Sequence, residues 1–117
     1  MNLVENVNDV VTLQRMKRFK YKGSVDTGIT LYFGHDFDRE KTIHKEHLDQ
    51  LLKEFKGRKV LIGTSRTNPQ DGSLGEWLRA NVTRTALASY IAPILIKEGY
   101  AYQEDESKME ITFKELY

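Results

Sequence analysis

The chain has 117 residues, of which 39% are hydrophobic and 30% charged, with a formal net charge of +1 and no cysteine. One domain with one core is the default at this length. The missing cysteine excludes disulfides, thiolate catalysis and Cys-ligated metals. The balanced charge excludes a uniformly basic surface, so any polyanion must be met by a local patch.

In chain order, residues 1–14 carry Leu3, Val4, Val7, Val10, Val11 and Leu13 at roughly helical spacing. Many Asn and Val residues make this a weak helix, and the segment stands apart from a single domain over residues 15–117. It lacks a basic start followed by an apolar run, so no signal peptide is expected. The apolar stretches are far shorter than a membrane span, and a cytoplasmic protein without a membrane partner is expected.

Residues 15–22, "RMKRFKYK", hold Arg15, Lys17, Arg18, Lys20 and Lys22 with no acid among them. With "GITLYFG" and the turn "GSVDTG" they predict a β-hairpin over 15–34, turning near Ser24–Gly28. Phe19 and Tyr21 share one face of its first strand, and Arg18, Lys20 and Lys22 the other. Two roles fit this strand. The cations can track a phosphate backbone, or they can mark an edge strand protected against aggregation.

"TIHKEHLDQLLKEFKG" predicts a helix that Thr42 caps and Gly57 ends, with Ile43, Leu48, Leu51, Leu52 and Phe55 on one face. His44 and His47 lie three apart on it, with His35, Asp36 and Asp38 nearby; exposed histidines are expected rather than a metal site. "RKVLIGTSR" reads as a short buried strand with Val60 and Ile62 opposite Leu61. "TNPQDG" is turn chemistry. Asp71 or Ser73 then caps a short helix, "SLGEWLRAN", presenting Leu74, Trp77 and Leu78.

After "VT", "RTALASYIAPILIKEG" predicts a helix over 84–99 that Gly99 stops. Pro93 lies within it and has no N–H for the carbonyl of residue 89. Either the helix bends between Ser89 and Pro93, or one helix ends near Tyr90–Ile91 and Pro93 opens another. "YAYQED" and "KMEITFKEL" then alternate about the polar tip "EDES", a second hairpin.

From residue 42 to 115 this order, with "SLGEWLRANVTRTALASYIAPILIKEGYAY" at its centre, resembles the winged helix-turn-helix family. The resemblance implies an α+β fold: a winged helix-turn-helix-like domain with an added N-terminal β-hairpin. It implies binding to double-stranded DNA in a regulatory or accessory role, as a homodimer. Thr83, Arg84, Thr85 and Ser89 would approach the groove, with Leu87, Ile91, Ile94 and Leu95 turned to the core. Arg66 and Arg79 would hold phosphates, and Lys17, Arg18, Lys20 and Lys22 would add salt-dependent affinity. A solvated helix face capped by one threonine accounts for the same helix residues. Between residues 72 and 99, Arg79, Arg84 and Lys97 face Glu76 and Glu98, which is thin charge for a DNA surface.

Two further functions fit. The loop Gly63–Asn68, with Thr64, Ser65, Arg66, Thr67 and Asn68 ahead of a helix start, is an anion or nucleotide cradle by residue type. It lacks the Gly-Lys-Ser/Thr of a phosphate loop, and its hydroxyls can equally satisfy their own backbone. A protein-interaction module of the phage or mobile-element kind is the other. No catalytic set, metal site or cofactor is read, and the chain is not expected to be an enzyme.

Overall fold

The computed structural model describes residues 7–13, 16–65 and 67–115. Its first half is an antiparallel meander: β1 (Val7–Val11), β2 (Arg18–Ser24), β3 (Gly28–Phe33) and β4 (Arg39–Ile43), paired in that order. Strand alternation sorts the side chains. Phe19 and Tyr21 from β2, Ile29, Leu31 and Phe33 from β3, and Ile43 from β4 are buried on one face. Arg18, Lys20 and Lys22 take the other, as expected for a strand whose two faces differ in polarity.

The expected hairpin is thus the centre of a four-stranded sheet. Val7–Val11 pair with β2 from Val7 opposite Lys22 to Val11 opposite Arg18, instead of forming the predicted helix. Valine loses rotamer freedom in a helix and Asn and Asp compete with its backbone, whereas the ladder of β2 satisfies an extended chain directly. Thr42 and Ile43 belong to β4 and not to the following helix. Thr42 hydrogen-bonds across the strands to Thr30 at 3.1 Å, and Ile43 is buried beside Ile29.

The second half follows as α1 (Lys45–Phe55), β5 (Lys59–Leu61), α2 (Leu74–Asn81), α3 (Ala88–Lys97), β6 (Ala101–Tyr102) and β7 (Glu110–Phe113). The three short strands form a second sheet in the order β5-β7-β6. Helix α1 buries Leu48, Leu51, Leu52 and Phe55, and Phe55 stacks on Phe113 of β7 at 5.2 Å. Leu61 is exposed between buried Val60 and Ile62, the alternation that the sequence predicts.

Both halves share one core, which runs from Phe19 and Tyr21 through the leucines of α1 to Ile111 and Phe113. Each fully buried Leu or Ile there contributes about 1.5–3 kcal/mol of transfer free energy. Helix α3 lies at the centre, with Ala88, Ile91, Ala92, Pro93, Ile94 and Leu95 buried. It runs unbroken through Pro93, so no second helix opens there. Its C-terminus closes as a Schellman motif: the N–H of Tyr100 reaches the Leu95 carbonyl at 2.9 Å and that of Gly99 the Ile96 carbonyl at 3.1 Å. Gly99, at φ +86°, supplies the left-handed step this motif requires.

Candidate nucleic-acid interface

Helix α2 begins where the backbones of β5 and α2 nearly touch. The N–H of Gly75 donates to the Ile62 carbonyl at 2.8 Å, and a Cβ at Gly75 would overlap the Gly63 carbonyl. Ser73, 1% exposed, caps the helix by accepting from the N–H of Glu76 at 3.1 Å. Glu76 in turn accepts from the N–H of Gly72 at 2.9 Å. This reciprocal capping, with Gly75 bonded to β5, uses the donors that a phosphate at this helix end would need.

The loop before it is closed in the same way. The Ser65 hydroxyl accepts from the N–H groups of Asn68 at 3.0 Å and Thr67 at 3.4 Å. Thr64, Ser65, Thr67 and Asn68 are exposed, and Arg66 lies outside the described residues. The cradle expected over Gly63–Asn68 is therefore a self-satisfied polar loop ahead of a helix that is already capped.

Helix α2 ends in two bonds, from the N–H groups of Val82 and Thr83 to the Leu78 carbonyl at 2.9 and 3.0 Å. The Thr83 hydroxyl then accepts from the N–H of Thr85 at 3.3 Å. These bonds hold Thr83, Arg84 and Thr85 in a turn, and α3 starts only at Ala88, four residues later than predicted. Leu87, 1% exposed, takes the last position before the helix. Competition from the β-branched hydroxyl residues for the backbone explains the delay. Arg84 is exposed, while Arg79, Thr83, Thr85 and Ser89 are half-buried.

Helix α3 presents little groove-facing surface. Tyr90 lies against Phe19 at 5.1 Å and Phe33 at 4.8 Å, so the N-terminal sheet covers one flank of the helix. Leu87, Ile91, Ile94 and Leu95 are buried as expected, and within the helix only Lys97 is exposed. A helix apolar nearly all round is a core helix. The residues that can meet an external partner are those of the α2–α3 turn and Ser89 in the first turn of α3.

The basic strand is partly spent. The Lys20 ammonium is 3.5 Å from an Asp9 carboxylate oxygen and lies over the Phe37 ring at 5.1 Å. Lys22 lies over Tyr32 at 5.5 Å, and Arg18 is exposed. Lys17, just before β2, lines a cleft with Ser89 and Thr64. The structure thus gathers one basic residue of that strand and one residue from each of the other two predicted sites. Thr12, Leu13, Ala86 and Met109 also line this cleft; nothing in their residue types or spacing marks them in the sequence.

The acids at the tip of the second hairpin are exposed, and two of them have local partners. Asp105 accepts from the Ser107 hydroxyl at 2.6 Å and N–H at 3.0 Å, bonds that hold its carboxyl below the usual range. Glu104 receives the Lys59 ammonium at 3.0 Å. His44 and His47 have ring centroids 6.4 Å apart. Among the described residues no three of His, Asp and Glu converge as metal ligands, and no helix is long and apolar enough to cross a membrane. Compared with known family models, curated proteins and solved structures, the chain finds no match in any of the three.

Proposed function

We propose that the chain binds double-stranded DNA as a small regulatory or accessory factor, with residues 45–113 acting as a winged helix-turn-helix unit. One observation carries this reading. The elements α1, β5, α2, α3, β6 and β7 follow the winged-helix order, and the last hairpin closes its sheet on β5. The exposed α2–α3 turn supports a contact centred on Arg84, with Thr83, Thr85 and Ser89 beside it. The buried flanks of α3 limit that contact to a short footprint at the start of the helix. Arg79 and Arg66 would hold phosphates, and Lys17, Arg18, Lys20 and Lys22 would add long-range attraction.

A single copy has a net charge of only +1, so a homodimer, which doubles the phosphate contacts, fits the reading best. A mobility-shift assay on mixed genomic fragments at low and moderate salt tests it. The expected result is a retarded complex that weakens as salt rises. Arg84→Ala should reduce binding to the preferred fragment more than to random DNA. Equal losses would mean that Arg84 holds phosphate and reads no base. No complex at either salt would overturn the reading.

A further inference from the structure

Between the end of β1, the end of β5 and the first turn of α3 lies a cleft of about 550 Å³. Sites for small organic ligands fall in the range of about 300–1,000 Å³ and combine an apolar body with a few converging polar groups. This cleft has both parts. Half-buried Leu13, Tyr90 and Met109 form its apolar side, with fully buried Ile62 and Ala92 behind them. The hydroxyl residues Thr12, Thr64 and Ser89, with the basic residue Lys17, supply the polar side.

Two details make the polar side a built one. Thr12, 5% exposed, is locked to Lys17: its N–H donates to the Lys17 carbonyl at 2.9 Å, and its hydroxyl accepts from the Lys17 N–H at 3.0 Å. That hydroxyl keeps its own proton to donate. Ser89, which also lines the cleft, sits in the first turn of α3, whose backbone Pro93 leaves one bond short by having no N–H for the residue-89 carbonyl. Among the described residues the lining contains one cation and no carboxylate, so an anion is favoured over a cation.

From this we infer that the cleft binds a small molecule with a flat apolar body and one anionic group. The anion pairs with Lys17 and the Thr12 hydroxyl, and the body lies along Leu13, Tyr90 and Met109. The cleft shares Thr64 with the self-closed loop and Lys17 and Ser89 with the proposed DNA contact, but small-molecule binding is read without DNA, so the test decides it whether or not the chain binds DNA.

The test is a titration of the full-length ¹⁵N-labelled chain with 1-naphthoate and, as the neutral counterpart, 1-naphthamide, followed by amide chemical shifts. Both probes should move the signals of Thr12, Thr64, Ala86, Ser89 and Met109. Naphthoate should bind about fivefold more tightly, the equivalent of about 1 kcal/mol from one charge-assisted contact. In Lys17→Gln that preference should vanish, because only the naphthoate affinity falls. Ala86→Phe, at a half-buried lining position, should block both probes. Thr64→Tyr at the exposed rim is the second blocking variant, used if the first loses its dispersed spectrum. Shifts scattered away from the cleft, a charge preference that survives Lys17→Gln, or undiminished binding in a folded blocking variant would each overturn the inference.

Discussion

Glu98, the residue capping the C-terminus of α3, accepts the Tyr21 hydroxyl at 2.8 Å and the Val25 N–H at 2.9 Å, one on each carboxylate oxygen. Seventy-seven residues separate the Tyr21–Glu98 pair in the chain. One carboxylate thus fastens the β2–β3 hairpin to the end of the central helix. Glu98→Ala should cost about 1–3 kcal/mol, because it leaves the buried phenol and the Val25 N–H without an acceptor. Tyr21→Phe should cost less, about 0.5–1.5 kcal/mol, since it removes both the donor and its need for a partner. Urea denaturation of both single variants and the double variant checks this; a double-variant loss equal to the sum of the two single losses would mean the pair is not coupled.

The same pair predicts an alkaline limit. Burial, reinforced by the hydrogen bond and the charge of Glu98, raises the Tyr21 hydroxyl well above the ordinary tyrosine value. A raised folded-state pKa means that the unfolded chain loses this proton first. The contribution is therefore complete below about pH 10, the unfolded value, and falls as pH climbs toward the folded one. Stability should drop above about pH 10 with a slope of up to about 1.4 kcal/mol per pH unit from this group. Tyr21→Phe should flatten that part of the curve; an unchanged alkaline slope would show that other groups set it.

Much of this was legible in the sequence where side-chain pattern and local backbone chemistry agree. Phe19 and Tyr21 alternate with cations and do face the core; Ser73 and Gly99 bound their helices as their chemistry requires. The misreadings lie where a distant partner decides. Val7–Val11 extend because β2 is there to pair with. "REKTI" carries four polar residues and shows no strand pattern, yet β3 recruits it as an edge. Arg84 follows a β-branched hydroxyl residue, Thr83, that closes a turn, so the helix waits until Ala88. The covering of the Tyr90 flank of α3 was invisible for the same reason: Tyr90 meets Phe19 and Phe33, more than fifty residues upstream.

The contact of Gly63 with Gly75 gives a prediction about backbone. Gly75→Ala would drive a methyl group into the Gly63 carbonyl, part the ends of β5 and α2, and strain the Gly75–Ile62 bond. Overpacking of this kind costs about 1–3 kcal/mol, with the upper end expected because the obstacle is backbone. Gly72→Ala meets nothing within 4 Å but sits at φ +77°, and should cost only the left-handed penalty of about 1–2 kcal/mol. Thermal unfolding of the two variants should place Gly75→Ala clearly lower; the reverse order would mean that β5 and α2 separate easily.

Ser73 offers a narrower test of the same junction. Its hydroxyl is the cap of α2, and its burial leaves no water to replace it. Ser73→Ala should cost about 1 kcal/mol, within the range of about 0.5–2 found for lost caps. Glu76→Gln keeps an acceptor for the Gly72 N–H and should cost less. Guanidinium denaturation distinguishes the two, and a neutral Ser73→Ala would mean that the Glu76 N–H finds another acceptor.

Tyr90 is where the two halves of the chain meet as rings. Its faces and edges contact Phe19 of β2 and Phe33 of β3, and it also lines the cleft beside Ser89. Tyr90→Ala removes a half-buried aromatic body from this junction and should cost about 2–3 kcal/mol, somewhat less than a fully buried aromatic truncation. Tyr90→Phe keeps the packing and should cost little, because the ring contacts need no hydroxyl. The loss in the alanine variant should not be spread evenly. Amide exchange should accelerate most in β1, β2 and β3, which α3 no longer clamps, and least in α1 and β7, which keep the Phe55–Phe113 stack. Uniform acceleration across both sheets would show that they open as one unit and that Tyr90 is not the joint between them.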